Sequence, residues 1–197
     1  MKKALTHLKK DPILKKVIEK HGGLDEIPLI ENIFEDIVAT IVGQQLSTKA
    51  ANTIFERFKK LLKNNVTPKR ILKTKDEDLR SVGISFAKIK YIKDLASKVN
   101  SLELDLENLK NQSDEEVMIT LTKIKGIGPW TAQMILMFTL NREDVFSVGD
   151  LGLRSAISKL YNVKRDNFKK VEKISQNWKP YRSLASRYLW KSLDTKS

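Results

Sequence analysis

The segment Leu121-Thr122-Lys123-Ile124-Lys125-Gly126-Ile127-Gly128-Pro129-Trp130-Thr131-Ala132 requires a sharp chain reversal between two helices. Val117, Leu121 and Ile124 lead into it at helical spacing. Pro129 suits the first position of a new helix, where its missing N–H is not needed. Between them, Gly126 and Gly128 permit a hairpin that residues with a Cβ resist. The same glycines let the backbone approach a ligand closely. Their N–H groups, with the start of the next helix, form a candidate anion clamp. Lys123 and Lys125 add positive charge beside it. A Gly-x-Gly alone reads more readily as a turn serving geometry. Apolar residues before it and Pro-Trp-Thr-Ala after it make the clamp reading far more specific.

Helical periodicity continues through most of the chain. Ile33, Phe34, Ile37, Val38, Ile41 and Val42 recur at spacings of three and four. Ser47 is placed to cap a helix burying Ala50, Ala51, Ile54, Phe55, Phe58 and Leu62. Thr67-Pro68 marks another helix start, and Gly83 a helix end after Leu79 and Val82. Phe86, Ile89, Tyr91, Ile92, Leu95, Ala96 and Val99 line a further helix. Ser113 to Glu116 forms a capping-box pattern. Helices are expected from Trp130 to Leu140, Asp150 to Tyr161 and Tyr181 to Leu193. No segment alternates convincingly as a strand, so the fold class is all-α.

The 197 residues include no cysteine, which excludes disulfides, thiolate zinc sites and cysteine-ligated iron–sulfur clusters. Lys and Arg exceed Asp and Glu by 37 to 24, a formal charge of +13 that favours a polyanionic partner. Solvated lysine-rich helix faces account for such a charge equally well. No apolar run approaches the ~20 residues of a membrane span, and the charged N-terminus does not resemble a signal peptide. An intracellular location is expected: cytoplasm or nucleoid, or nucleus in a eukaryote.

Asp150 opens a helical pattern downstream of the hairpin. An aspartate there is usually an N-cap, and a cap is also fixed and aimed, which suits stabilising a developing cation. Trp130, Trp178, Tyr181, Tyr188 and Trp190 supply aromatic surface. Such residues are most often core. Trp130, in the first turn after the hairpin, is also placed to stack on an extruded base, preferably a cationic one. Gln44 and Gln45, between two helices, either cap helix ends or enter a duplex to fill the gap left by a flipped base.

These elements together resemble the helix-hairpin-helix (HhH-GPD) DNA glycosylase superfamily, in its 3-methyladenine DNA glycosylase II, or alkylbase, branch. Four blocks carry the resemblance: Ile41-Val42-Gly43-Gln44-Gln45-Leu46-Ser47-Thr48-Lys49-Ala50-Ala51; Leu79-Arg80-Ser81-Val82-Gly83-Ile84-Ser85 with Lys88; Ile124 to Ala132; and Asp144-Val145-Phe146 through Asp150-Leu151-Gly152-Leu153-Arg154. A fifth runs from Trp178-Lys179-Pro180-Tyr181-Arg182 to Trp190. The resemblance implies two helical lobes with DNA in a cleft between them. One lobe is expected from about 1–30 and 145–197, the other from about 31–144. It implies Asp150 as the catalytic aspartate, and Trp130, Trp190, Met134 and Tyr181 around the base. Gln45 is the implied DNA wedge, with Leu46 the near alternative. Lys125, Gly126, Ile127, Gly128 and Thr131 form the implied phosphate-binding hairpin. The backbone carbonyls of Thr122, Ile124 and Ile127 are implied candidates for a structural Na or K ion, with no other cofactor. Double-stranded DNA with damaged bases is the implied partner, and the protein is expected to be a monomer.

Two departures refine the expected reaction. Strand-cutting relatives carry a nucleophilic lysine immediately after the hairpin, where this chain has Trp130, so no amine stands there to form a Schiff base. The chain also has Ser147-Val148-Gly149 where relatives commonly place a proline before the aspartate, which leaves more freedom in the approach to Asp150. The expected function is a monofunctional glycosylase that excises alkylated purines and leaves an abasic site in base excision repair. A glycosylase for deaminated bases (hypoxanthine or uracil) and a non-catalytic DNA-binding protein are the alternatives. If the charge serves DNA binding, duplex affinity falls by roughly 0.9 log units per log unit of salt for each phosphate neutralised. A titration series in rising salt that stays flat contradicts the electrostatic argument.

Overall fold

A computed structural model describes residues 1–194, and their regular elements are all helices, with no strand among the described residues. The helices are α1 (Lys2–Leu8), α2 (Pro12–His21), α3 (Ile33–Gly43), α4 (Thr48–Leu61), α5 (Pro68–Lys73), α6 (Asp76–Ser81) and α7 (Phe86–Asn100). They continue as α8 (Asp114–Thr122), α9 (Pro129–Met134), α10 (Leu151–Tyr161), α11 (Phe168–Ser175) and α12 (Arg182–Lys191). None of them is long and apolar enough to cross a membrane. The helix starts follow the local chemistry. Ser47, Thr67, Ser85 and Ser113 each accept a first-turn N–H, and Glu116 completes the capping box with Ser113.

The chain divides into two compact units. The first comprises Met1–Pro28 and the chain from Leu136 onward. Its core packs Leu14, Leu153, Ile157, Val171, Tyr188 and Leu189 around the fully buried Trp178. Asp11 ties the two sequence ends of this unit together. Its Oδ1 accepts the N–H groups of Ile13 and Leu14 and so caps α2. Its Oδ2 accepts Tyr161 Oη–H at 2.7 Å and Trp178 Nε1–H at 2.9 Å. Burial, with this bond to Asp11, pushes the Tyr161 phenol far above its ordinary value.

The second unit is Leu29–Ile135. α3 and α7 are its spine, with α4 packed on α3, and α5 and α6 on α7. Ile37, Val38, Ile41, Phe58, Ile71, Leu79, Ile89 and Ile92 are completely buried. Two local expectations differ from the structure. On α4 only Phe58 is buried, while Ala50, Ala51, Ile54 and Phe55 stay half-exposed, because this helix packs along a narrow line rather than a broad face. The helix expected from Trp130 to Leu140 is α-helical only to Met134, then widens into a π-turn at Ile135–Thr139. That wider turn accompanies burial of three consecutive residues, Ile135, Leu136 and Met137, more than one α-helical stripe accommodates.

Asp11→Ala removes a helix cap and strands two buried donors. It is expected to cost about 2–5 kcal/mol, measured as a lower urea midpoint. A loss below ~1 kcal/mol would show that Asp11 does no more than cap α2.

Candidate functional site

Asp150 is the N-cap of α10 and only 9 % exposed. Its Oδ1 accepts Leu153 N–H at 2.7 Å and Trp190 Nε1–H at 3.0 Å. The first bond is local capping chemistry. The second comes from the far end of α12 and fixes the carboxylate from outside its own helix. Gly152 makes the arrangement possible: a Cβ there would lie 3.1 Å from both Asp150 Oδ1 and the Trp190 indole. Phe138, in the π-turn, stacks on Trp190 at 6.0 Å between ring centroids and holds the indole plane.

The segment before Asp150 is held by the same helix. Arg182, at the start of α12, clamps both oxygens of Asp144, at 2.7 and 2.9 Å. Ser183 donates to the Arg142 carbonyl and accepts Val145 N–H. The Asp150 N–H then closes a turn onto the Ser147 carbonyl at 3.0 Å. These bonds fix the chain on either side of Val148-Gly149, at Asp144-Val145 and at the turn from Ser147 to Asp150.

In the second unit the hairpin runs between α8 and α9. Gly126 has φ +81°, and a Cβ there would stand 2.1 Å from the Tyr91 ring, so this position demands glycine twice over. Two hairpin amides are already engaged. Lys125 N–H donates to Asp94 Oδ2 at 3.1 Å, and Ile127 N–H to the Ile124 carbonyl at 3.1 Å. The Lys125 ammonium also pairs with Asp94, at 3.6 Å. Of the expected clamp, the Lys125 and Ile127 amides are thus bonded within the protein, while α9 starts without a side-chain cap. The sequence offered no signal for Asp94, which lies on α7.

The turn between α3 and α4 divides its two glutamines. Gln44 is half-buried, and its Nε2 donates to the Gly126 carbonyl at 2.9 Å and to Thr131 Oγ1 at 3.4 Å. Gln45 is exposed with φ +59°, and Leu46 beside it is 40 % exposed. Lys88 Nζ donates to the carbonyls of Val42 and Gln44 at 2.7 and 2.6 Å. Burial pushes this ammonium below the ordinary lysine value. A cavity of about 430 Å³ opens here, lined by Gln44, Gln45, Lys88, Tyr91, Gly126 and Trp130.

The remaining expected residues separate. Trp130 is 46 % exposed, too open for a core residue, and Met134 lies one turn further along α9. Tyr181 packs against the same core as Trp190. It caps the opposite end of α12, nine residues from Trp190, and sets its ring edge against His7 at 5.5 Å. Nine helical residues span about 13 Å, so the two rings stand at opposite ends of the helix. Thr122 ends α8, where helix carbonyls lack intrahelical donors, and Ile124 follows the cap with its carbonyl accepting Ile127 N–H. No group of three His, Asp or Glu forms a metal cluster among the described residues.

Gly126→Ala meets both the ring and the positive φ. It is expected to destabilise the protein by more than ~1 kcal/mol in chemical unfolding. A neutral result would show that Tyr91 yields readily and that the hairpin is not fixed by this contact.

The model of the HhH-GPD superfamily base excision DNA repair proteins matches residues 38–180. A putative DNA-3-methyladenine glycosylase, YfjP of Bacillus subtilis, is 34 % identical over 189 residues, covering 92 % of this chain and 66 % of the relative, just under two thirds of its length. The crystal structure of a Bacillus halodurans DNA-3-methyladenine glycosidase superposes with TM-score 0.84 at 40 % identity, covering 96 % of this chain and 88 % of that one. The Schizosaccharomyces pombe 3-methyladenine DNA glycosylase Mag1, in complex with abasic DNA, gives TM-score 0.87 at 34 % identity, covering 98 % of both. With the glycine hairpin, the capped Asp150 and the all-helical fold in their expected order, the chain belongs to the HhH-GPD superfamily of base excision DNA repair proteins.

Proposed function

We propose that this protein is a monofunctional DNA glycosylase that excises alkylated purines of the 3-methyladenine kind from duplex DNA. The observation that carries the reading is Asp150, buried and doubly held through one carboxylate oxygen. A DNA-binding module has no use for a fixed carboxylate near a phosphate backbone, which favours the enzyme. The names of the relatives support the substrate class.

In this reading the hairpin takes a phosphate through Gly126, Gly128 and the opening of α9. Gln45 enters the duplex, and the damaged nucleotide is extruded. Trp130 stacks on the flipped base; an N-alkylated purine is a cation, which an indole face attracts. The same charge makes the base a good leaving group and reduces the need for a general acid. As the C1′–N bond breaks, the sugar becomes oxocarbenium-like. Asp150 stabilises that charge and orients or deprotonates the attacking water. The C1′–O bond forms from water, the glycosidic electron pair leaves with the base, and an abasic site remains. Trp130 in place of a lysine supports hydrolysis without a Schiff base. The carbonyls of Thr122, Ile124 and Ile127 are the proposed ligands of a monovalent cation that would stiffen the hairpin. DNA is the proposed partner, and the protein acts as a monomer.

Asp150→Asn keeps an oxygen to cap α10 and removes the charge. Its base release from methylated duplex is expected to fall below detection while duplex binding and unfolding temperature stay near wild type; retained excision sinks the assignment. Trp130→Ala is expected to reduce excision more than binding to undamaged duplex. Equal losses in the two assays would make Trp130 a structural residue.

A further inference from the structure

The turn Gln44-Gln45-Leu46 is held by hydrogen bonds from beyond its own two helices. Lys88, on α7, donates to the carbonyls of Val42 and Gln44, at the C-terminal end of α3. A cation there satisfies carbonyls that lack helical donors and complements the helix dipole. From the other side, the Gln44 side chain donates to Gly126 in the hairpin and reaches Thr131 at the start of α9. Gln45 sits between these anchors in the left-handed region at φ +59°, its side chain exposed. A residue with a Cβ is disfavoured in that region and keeps it only where its surroundings impose it. The anchoring groups line an open cavity of about 430 Å³ rather than fill a core.

We propose that Lys88 and Gln44 are positioning residues that preset Gln45 as the duplex wedge and lock its depth to the phosphate-binding hairpin. The inference rests on the glycosylase reading above. Gln44 contributes by its amide donor, which bonds the hairpin carbonyl rather than reaching outward. Lys88 contributes by an ammonium that holds the backbone on both sides of Gly43. A phosphate seated on the hairpin then fixes where Gln45 enters. The two operations, grip and insertion, share one rigid frame.

Lys88→Met and Gln44→Met remove the donors at nearly constant size. Two readouts are compared: fluorescence of a 2-aminopurine placed beside a tetrahydrofuran abasic analogue, which rises when the neighbouring bases unstack, and single-turnover excision from methylated duplex. Both variants are expected to bind undamaged duplex like wild type. The fluorescence rise should shrink and the excision rate drop by about tenfold or more, as misplacement by a fraction of an ångström to an ångström produces. Lys88→Arg, which keeps the charge and donors, should recover most of both signals. Variants that unstack and excise like wild type overturn the proposal, as does a loss confined to undamaged-duplex binding. Should Lys88→Met not fold, Gln44→Met decides alone by the same two readouts. A wild-type protein that neither unstacks nor excises overturns the glycosylase reading itself, so the two failures are distinguishable.

Discussion

The hydrogen bond from the Trp190 indole to Asp150 is the interaction on which the candidate site depends. A cap alone would orient Asp150 only relative to its own helix. The indole fixes it from α12, and Gly152 keeps the space between them clear. The opposite end of α12 holds the approaching segment through Arg182 and Ser183. One helix therefore sets both the start and the end of the stretch that delivers the carboxylate. A charge that must stabilise a short-lived cation gains most from such prior fixation, because no reorganisation is required when the cation forms.

The second unit achieves rigidity by a different route. Its hairpin is fixed by close contact of Tyr91 with Gly126 and by Asp94 on the Lys125 amide. The apolar interior of α3 and α7 supports this arrangement but does not itself specify the hairpin shape. The Tyr91 ring and Asp94 do that, from positions far away in sequence. The site residues therefore sit on short, over-determined turns mounted on well-buried helices, an arrangement suited to placing groups on a bulky substrate.

Local features were legible because their causes are local. Ser47, Ser113 with Glu116, and Thr67-Pro68 announced helix starts through bonds spanning three residues. Asp150 was identified as a cap for the same reason, and Gly126 as a position needing glycine. What escaped was long-range. No pattern links Asp11 to Trp178, Asp94 to Lys125, or Lys88 to Gln44. The resemblance implies Trp190 beside the base, while its N–H donation to Asp150 has no sequence signal. The π-turn after Met134 was missed because an apolar run on all sides does not reveal its own period.

The most direct test of the account is the product analysis of wild-type protein acting on methylated duplex DNA, with free base separated by chromatography and strand integrity scored before and after alkali. Release of an alkylated purine from strands that break only after alkali is the predicted result, since hydrolysis directed by Asp150 leaves an intact abasic strand. Strand breaks before alkali would contradict a reaction without a covalent amine intermediate. Absence of any released base, with duplex binding intact, would contradict the assignment of alkylated purines as substrate.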